Sequence, residues 1–402
     1  MNKIFDGFYY VGVNDRVTNK FESLWPLPYG VSYNSYLVKG NDKIALIDGV
    51  ELSEIDTLNE NIHEAIGKTA PDYLIINHME PDHSGAIKIL HNLYPDMVIV
   101  GNAKTLDMVK GYYGITENTL KVTENDTIDL GGVTLTFKMT PMVHWPETMM
   151  TYVNEWNMLF SGDAFGCFGA INGGILDSET DVEMYIPEMY RYYSNIVGKY
   201  GAFVQKAIAK FSDTKVEYIC PTHGPIWHES RERVVNIYDR LSRYEAEEGV
   251  TIVYGSMYGH TEKMADIIAR QLAKRGIKNI RIHNAATSDL SYIISDIFKY
   301  KGLIIGAPTY SNSLFPPIEA VLYAIANREV KNRVVASFGN FTWGGQAVKR
   351  INAAFEQTKL SAPDVISVEA KMNPDETAKN NCIALADAVA DNLLNQDGAA
   401  AN

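Results

Sequence analysis

The most constraining feature of this sequence is a regular alternation of strand and helix patterns after Gly249. Strict alternation requires crossover connections between parallel strands, and such sheets carry helices on both faces. We therefore predict a doubly wound, five-stranded parallel sheet in this part of the chain. The five strand patterns, each followed by a helical pattern, lie at 250–254, 279–283, 302–306, 333–338 and 364–369.

The first part of the chain is organised differently. Strands and helices are mixed there with loops, which indicates an α/β or α+β sandwich. The chain has 402 residues, which exceeds one ordinary hydrophobic core. We predict two domains, 1–248 and 249–402. In the first domain, strand patterns lie at 43–48, 73–76, 97–100 and 133–137, and helical patterns at 51–66 and 181–211.

Composition limits the surroundings and the partners of the protein. No apolar run approaches the roughly 18 residues needed to cross a bilayer, and the first ten residues lack the layout of a signal peptide. Cys167, Cys220 and Cys382 form no CxxC pair, which fits a reducing compartment. The excess of 49 acidic over 36 basic residues disfavours nucleic acid and anionic membranes as partners. We expect a cytoplasmic globular protein.

The strongest chemical signal is a run of possible metal ligands directly after the strand pattern Tyr73–Ile76. Holding several such groups together without a cation is costly. The loops that carry them could meet at one edge of a sheet, which predicts a metal site; the alternative is a set of unrelated histidines. The run contains His78, Glu80, Asp82 and His83, and His144, Asp163 and His223 follow other apolar runs.

This HxExDH pattern, with the later His, Asp and His, resembles the metallo-β-lactamase fold. Most hydrolases of that fold have HxHxDH and bind zinc, whereas Glu80 stands here at the position of the second histidine, as in the flavodiiron variant. A further carboxylate adds negative charge and hard oxygen donors, which favour iron over zinc. The run from His144 to Tyr152 also resembles the flavodiiron sequence.

The resemblance implies a di-iron centre with two sets of ligands joined by one carboxylate. In some members of the family the histidine that matches His83 is not bound to iron. The first iron takes His78, Glu80 and His144, the second takes Asp82, His83 and His223, and Asp163 bridges the two.

The second domain begins with a strand, a loop of small and hydroxyl residues, and a helix. Such a loop presents N–H and O–H groups to a phosphate, but it contains neither GK[ST] nor GxGxxG. It resembles the flavodoxin phosphate loop [ST]xTGxT, with Ser256, Gly259 and Thr261 in register. Tyr258 replaces the usual threonine, which puts one hydroxyl contact with the phosphate in question.

Two later loops follow the third and fourth strands of this domain. In flavodoxin-like domains these loops hold the isoalloxazine ring, and Trp343 offers an aromatic face; alternatively, Tyr310 and Trp343 are ordinary loop aromatics. FMN is expected rather than FAD because nothing accommodates an adenosine half. The predicted FMN contacts are Ser256, Met257, Tyr258, Gly259, His260, Thr261, Pro308, Thr309, Tyr310, Ser311, Asn312, Gly339, Asn340, Phe341, Trp343 and Gly344.

Together the two halves resemble a flavodiiron protein: a metallo-β-lactamase-like αββα sandwich followed by a flavodoxin-like domain. The resemblance implies an oxidoreductase that reduces dioxygen to water and/or nitric oxide to nitrous oxide at a di-iron site fed by FMN. No rubredoxin-type cysteine pairs follow, so an external donor is expected, either rubredoxin or reduced coenzyme F420. In the family a head-to-tail dimer brings one subunit's FMN to the other's irons, which implies a homodimer or a dimer of dimers.

Two alternatives stay open at this point. The first is a zinc hydrolase of the glyoxalase II type joined to a flavin domain, and Glu80 counts against it. The second is a non-enzymatic electron-transfer or redox-sensing protein, which the intact ligand set disfavours. The sequence does not decide between dioxygen and nitric oxide, and it does not identify the donor.

Overall fold

The computed structural model describes residues 2–360 and 366–397. Contacts divide the chain into two compact units, Met1–Asp239 and Arg240–Asn402. A division by contacts does not measure independent folding, so the domain limits 1–248 and 249–402 stay a prediction. No helix in the described part of the chain has the length and apolarity that a membrane crossing requires.

The first unit contains two large β-sheets. The seven-stranded sheet has the order β1-β2-β7-β8-β9-β10-β11 and the five-stranded sheet has the order β12-β13-β14-β15-β16. The strands are β1 (Asn2–Phe5), β2 (Phe8–Tyr10), β3 (Val13–Asp15), β4 (Lys20–Phe21), β5 (Trp25–Pro26), β6 (Val31–Tyr33), β7 (Tyr36–Lys39), β8 (Ile44–Ile47), β9 (Tyr73–Ile75), β10 (Val98–Gly101), β11 (Thr119–Lys121), β12 (Thr127–Asp129), β13 (Thr134–Met139), β14 (Met149–Val153), β15 (Met158–Gly162) and β16 (Tyr218–Pro221).

The two sheets pack face to face. One cluster of buried side chains contains Ala45 and Ile75 from the seven-stranded sheet and Phe137 and Phe160 from the five-stranded sheet. Helices accompany both sheets, which confirms the predicted αββα sandwich. The helices are α1 (Ile55–Ile66), α2 (Pro81–Ser84), α3 (Ile87–Leu93), α4 (Ala103–Tyr113), α5 (Val182–Tyr192), α6 (Gly201–Lys210) and α7 (Arg231–Ser242).

The helical pattern predicted over 181–211 is confirmed, but the type of helix changes along it. Helix α5 is followed by a π-helical turn, Tyr193–Val197, and by a 3₁₀ turn, Gly198–Tyr200, before α6 begins. Two glycines, Gly198 and Gly201, lie where the helix type changes, and glycine is a poor former of helix interiors.

The second unit contains the predicted parallel sheet. Its order is β18-β17-β19-β21-β22, and the short β20 pairs with β19 in the antiparallel sense. The last strand begins at Ser367. Of the predicted strand at 364–369, residues 364 and 365 lie outside the described residues. The strands are β17 (Glu247–Tyr254), β18 (Ile280–Asn284), β19 (Tyr300–Tyr310), β20 (Ser313–Leu314), β21 (Val334–Phe341) and β22 (Ser367–Lys371).

Helices cover this sheet, as the alternating pattern predicts. Ile252 and Ile304 of the sheet share one buried cluster with Ile268 of α8 and Leu385 of α12. Helices α9 and α10 pack on the sheet through buried faces of their own. The helices are α8 (His260–Lys274), α9 (Leu290–Lys299), α10 (Pro316–Asn327), α11 (Ala347–Gln357) and α12 (Glu376–Asp397).

Candidate metal centre and nucleotide pocket

The loop after β9 is fixed at its start by a buried carboxylate. Asp48 accepts hydrogen bonds from the backbone N of Asn77 at 2.7 Å and from its Nδ2 at 2.8 Å. Thr151 donates to the side-chain oxygen of Asn77 at 2.7 Å. Glu80 then caps the short helix α2, and Pro81 occupies its first turn. The loop and the helix start together carry four ligand candidates within the six residues 78–83.

The other three candidates follow strands of the five-stranded sheet. His144 lies after β13, Asp163 directly after β15 and His223 shortly after β16. These strands run in the same direction, because β13 and β15 are each antiparallel to β14 and β16 is parallel to β15. The expectation of a single sheet edge is wrong, since β9 belongs to the seven-stranded sheet. In a face-to-face sandwich the ends of both sheets are adjacent, so both supply ligands.

The structure brings all seven candidates together in two groups. In each group one ligand atom per residue lies within 4.8 Å of all the others. Nearly all of these side chains are buried, so the groups form an enclosed polar cluster rather than a surface patch. The first group is His78, Glu80, His144 and Asp163, and the second is Asp82, His83 and His223.

The carboxylate of Asp163 faces both groups. Its Oδ2 lies 2.9 Å from Nε2 of His144 and 3.4 Å from Nε2 of His78. Its Oδ1 lies 3.1 Å from Nε2 of His83 and 3.8 Å from Nε2 of His223. One oxygen therefore points to each group, which is the arrangement that a bridging carboxylate requires.

Electrostatic interactions in the cluster are strong. Burial alone would raise the pKa of Asp163, but the charges of His78, His144 and His83 hold that pKa well below its ordinary value. Burial would lower the pKa of His144, but Asp163 and Glu80 outweigh burial and raise that pKa to about 9. The carboxylates and imidazoles of the cluster thus attract one another strongly. A metal ion would compete with protons for the imidazole nitrogens.

The unsatisfied atoms of the cluster fit metal ions. Oδ2 of Asp82 and Nε2 of His223 lie 3.3 Å apart, yet neither makes a hydrogen bond with any described residue. Burying polar atoms without partners is costly, and coordination removes that cost. Three carboxylates and four imidazoles make up a donor set that suits iron. The residues therefore fit two iron ions.

Several contacting residues were missed by sequence reasoning. Nδ1 of His78 donates to Oε1 of Glu147 at 2.8 Å, and Nδ1 of His223 donates to the backbone oxygen of Ser32 at 2.7 Å. In both histidines the hydrogen bond at Nδ1 leaves Nε2 available for a metal. Thr222 donates to Oδ1 of Asp163 at 2.7 Å. A glutamate three positions after His144 was a visible signal for Glu147, whereas nothing in the sequence indicates a role for a backbone carbonyl.

Tyr192 is another residue that the sequence did not indicate. Its ring lies 5.5 Å from the ring of His223, and its buried hydroxyl makes no hydrogen bond within the described ranges. Burial, together with the charge of Asp163, raises the pKa of Tyr192 well above its ordinary value. The hydroxyl therefore keeps its proton and remains a donor.

A separate cavity of the first unit has a volume of about 700 Å³ and lies between β14 to β16 and helices α6 and α7. None of the seven ligand candidates lines it. This cavity is therefore not part of the ligand cluster.

The second unit contains a cavity of about 440 Å³ at the carboxyl ends of β17, β19 and β21. These strands are neighbours, so the three predicted loops converge where ligands bind in doubly wound sheets. Fourteen of the sixteen predicted contacts line the cavity, and Thr342, which was not predicted, joins them. The predicted residues that line it are Ser256, Met257, Tyr258, His260, Thr261, Pro308, Thr309, Tyr310, Ser311, Asn312, Asn340, Phe341, Trp343 and Gly344.

The two remaining predicted contacts are glycines outside the cavity wall. Gly259 precedes α8 with φ +85°, and its N–H donates to Oγ of Ser256 at 3.0 Å, which closes the loop. A side chain at Gly339 would meet Cγ2 of Val348 at 2.8 Å, so close packing of β21 against α11 requires glycine there. Both glycines shape the loops rather than face the cavity.

The cavity wall suits a flavin mononucleotide. Helix α8, with 15 residues, begins at the phosphate loop, and a helix N-terminus favours an anion. Trp343 is 89% exposed. Such an exposed aromatic face can cover a flat ring.

Comparisons with known proteins agree with this geometry. Residues 31–224 match the ODP family beta lactamase model, and residues 252–385 match the flavodoxin model. The chain is 31% identical over 383 residues to the anaerobic nitric oxide reductase flavorubredoxin of Escherichia coli O1:K1, which covers 94% of this chain and 79% of the relative.

Solved structures are similar over nearly the whole chain. The rubredoxin oxygen:oxidoreductase of Desulfovibrio gigas aligns with a TM-score of 0.92 at 28% identity and covers 98% of both chains. The flavodiiron protein of Giardia intestinalis aligns with a TM-score of 0.92 at 26% identity, over 98% of this chain and 96% of that one. The order of the two domains and the paired ligand groups agree with these similarities. This chain therefore belongs to the flavodiiron protein family and is an oxidoreductase.

Proposed function

We propose that this protein reduces dioxygen to water and/or nitric oxide to nitrous oxide at two irons that receive electrons from FMN. The observation that carries the proposal is the buried ligand cluster in which Asp163 offers one carboxylate oxygen to each of two groups. Names of relatives point to both gases, since the Escherichia coli relative is a nitric oxide reductase and the Desulfovibrio gigas relative an oxygen oxidoreductase.

The seven buried side chains hold the irons and adjust their charge. Iron bound there supplies one-electron steps and open positions for a diatomic gas. Hard carboxylate oxygens stabilise the higher charge of the metal, and Glu80 makes this set differ from that of zinc hydrolases. One ion would be held by His78, Glu80 and His144 and the other by Asp82, His83 and His223, and Asp163 would offer one oxygen to each.

Tyr192 supplies a hydrogen-bond donor beside the cluster. Reduction of either gas consumes protons: four per dioxygen converted to two waters, and two per pair of nitric oxide molecules converted to nitrous oxide and water. The hydroxyl of Tyr192 is buried, protonated and without a partner among the described residues. It is suited to stabilise negative charge that develops on the gas.

The second unit binds FMN in its 440 Å³ cavity. FMN bound there would supply a redox group that can take up reducing equivalents and release them as single electrons. The loop at the start of α8, with Ser256 and Thr261, holds the phosphate. The two later loops, with Tyr310 and Trp343, hold the ring.

Electrons reach the protein from an external donor, either rubredoxin or reduced coenzyme F420. The name of the Desulfovibrio gigas relative includes rubredoxin as that protein's partner. We also propose a head-to-tail homodimer or dimer of dimers, in which the FMN of one subunit serves the irons of another, and a cytoplasmic location. No nucleic acid or membrane partner is proposed, since the net charge is −13.

Metal and flavin content per chain tests the proposal. Protein expressed with ample iron should contain about two irons and one FMN, and once reduced it should consume dioxygen, nitric oxide or both. Separate measurements with each gas establish the preference. Two zincs that iron supplementation cannot replace, together with no consumption of either gas, would contradict the proposal and favour the hydrolase.

A further inference from the structure

The two metal positions have matching inner ligands. Each has two imidazoles, one carboxylate of its own and one oxygen of Asp163. The donor atoms and formal charges next to the two ions are therefore the same. Any difference between the positions must come from the residues that contact the ligands.

A buried carboxylate contacts the first position. Glu147 is 0% exposed, and its Oε1 lies 2.8 Å from Nδ1 of His78 and accepts the backbone N–H of Met79 at 3.0 Å. Asn102 donates to the backbone oxygen of Glu147 and fixes the chain there. Oε1 of Glu147 thus accepts two N–H groups, which holds the carboxylate in place beside His78.

The second position has no such carboxylate on its histidines. Nδ1 of His223 donates to the neutral backbone carbonyl of Ser32, and Nδ1 of His83 has no hydrogen-bond partner in the described part of the chain. Asp48 is a buried carboxylate near His83 and His78. Its side-chain hydrogen bonds among the described residues, however, go to Asn77 rather than to a histidine. In the described part of the chain, only the first position thus has a histidine whose Nδ1 is hydrogen-bonded to a carboxylate.

A carboxylate that accepts the Nδ1 proton of a metal-bound histidine makes Nε2 a stronger donor. A stronger donor stabilises the higher charge of the metal. We propose that Glu147 is a positioning residue that makes the two irons inequivalent, so that the first electron of stepwise reduction goes to the iron held by Asp82, His83 and His223. This inference rests on the proposed di-iron function. One electron converts two ferric ions to one ferrous and one ferric ion, and a second electron completes the pair.

The test is a redox titration of iron-loaded protein with dithionite and mediators, followed by electron paramagnetic resonance of the half-reduced state. In Glu147→Gln an oxygen acceptor remains but the charge is lost. We expect the comproportionation constant of the half-reduced state to fall at least about tenfold, or about 59 mV for a one-electron couple. Asp177→Asn, the control, removes a buried carboxylate whose hydrogen bonds go to the backbone N–H groups of Glu229 and Ser230, and it should leave the constant unchanged.

Cobalt binding by metal-free protein gives a second readout that does not need iron or turnover. Glu147→Gln should weaken Co²⁺ binding at one of the two positions by about 10- to 100-fold and leave the other unchanged. Should that variant fail to fold, Glu147→Asp, which lengthens the contact with His78, must weaken the same single position.

The possible outcomes separate the inference from the function on which it rests. An unchanged comproportionation constant in a Glu147→Gln protein with two irons would overturn the inference alone. Equal weakening of both cobalt positions would also overturn it. Wild-type protein that takes up no iron pair would overturn the proposed function as well.

Discussion

The metal centre and the nucleotide pocket differ in how completely the protein builds them before a ligand binds. His78 and Asp163 of the metal centre are 0% and 1% exposed, and their neighbours Glu147 and Thr222 hold them by hydrogen bonds. In the pocket, Trp343 is 89% exposed. Charged ligands must be enclosed and supported, because an unsupported buried charge is costly. Aromatic side chains can stay exposed, because their apolar surface is buried when the flavin ring covers it, which stabilises the complex.

This comparison leads to different expectations for mutations in the two regions. Loss of a ligand from the enclosed cluster leaves other charges without partners, so its effect should be close to complete. Loss of one aromatic side chain from the open pocket removes a single contact with FMN, so the affinity for FMN should fall only in part. The four predictions below test this difference in order of decreasing effect.

Asp163→Ala should have the largest effect. It removes the carboxylate that faces both groups, so gas reduction should fall to background and iron content should drop, whereas FMN content should stay unchanged. Iron and flavin per chain and the consumption of dioxygen and nitric oxide measure this. Asp213→Ala, at an exposed position, is the control. Normal turnover in Asp163→Ala would refute the di-iron assignment.

Glu80→His should change the metal rather than abolish binding. It creates the HxHxDH pattern and replaces a hard oxygen donor with an imidazole, so the iron-to-zinc ratio should fall by about tenfold when both metals are supplied equally. Metal analysis of the purified protein measures the ratio. Glu80→Gln removes the charge without adding an imidazole and should lose iron without gaining zinc. An unchanged iron content in Glu80→His would contradict the argument about hard ligands.

Trp343→Ala should weaken FMN binding moderately. The loss of one stacking face corresponds to about 0.5–1.5 kcal/mol, or roughly two- to tenfold in Kd. Fluorescence titration of the flavin-free protein measures the change. Tyr323→Ala is the matched control, since Tyr323 is 73% exposed and does not line the cavity. A loss of iron in Trp343→Ala would break the separation between the two regions.

Tyr258→Thr should have the smallest effect and the opposite sign. It restores the usual hydroxyl of the phosphate loop, so FMN should bind tighter by about 0.5 kcal/mol, roughly twofold. The same fluorescence titration measures it. Tyr258→Val is the control, because valine has nearly the shape of threonine but lacks the hydroxyl. Equal affinities of the two variants would show that the hydroxyl makes no contact with the phosphate.

Particular elements show how far the sequence predicts the fold. Alternation of strands and helices after Gly249 correctly predicted the five-stranded parallel sheet, because crossover geometry allows few alternatives. The pattern over 181–211 correctly predicted a helical stretch, but it did not predict the π-helical and 3₁₀ turns between α5 and α6. Helical periodicity is too coarse to show such a change of helix type. Strand β19, Tyr300–Tyr310, is also longer than the strand predicted at 302–306, since pairing extends a strand beyond its apolar centre.

The candidate site was likewise predicted in part from the sequence. All seven metal-ligand candidates were named from residue type and spacing, because charged groups at strand ends need a partner when they are buried. Their origin in two sheets was not predicted. Glu147 and Ser32 were also missed, since a hydrogen bond to a ligand across 69 or 191 positions leaves no periodic pattern.

The sequence by itself determined the family, the order of the two domains and the types of ligand that the protein can bind. These properties depend on residue identity and local periodicity, which can be read directly along the chain. Only the tertiary structure decided which oxygen of Asp163 faces which group, and which histidine is backed by a carboxylate. Such contacts depend on how two sheets pack against each other. Packing joins residues that are far apart in sequence, and no local pattern encodes it.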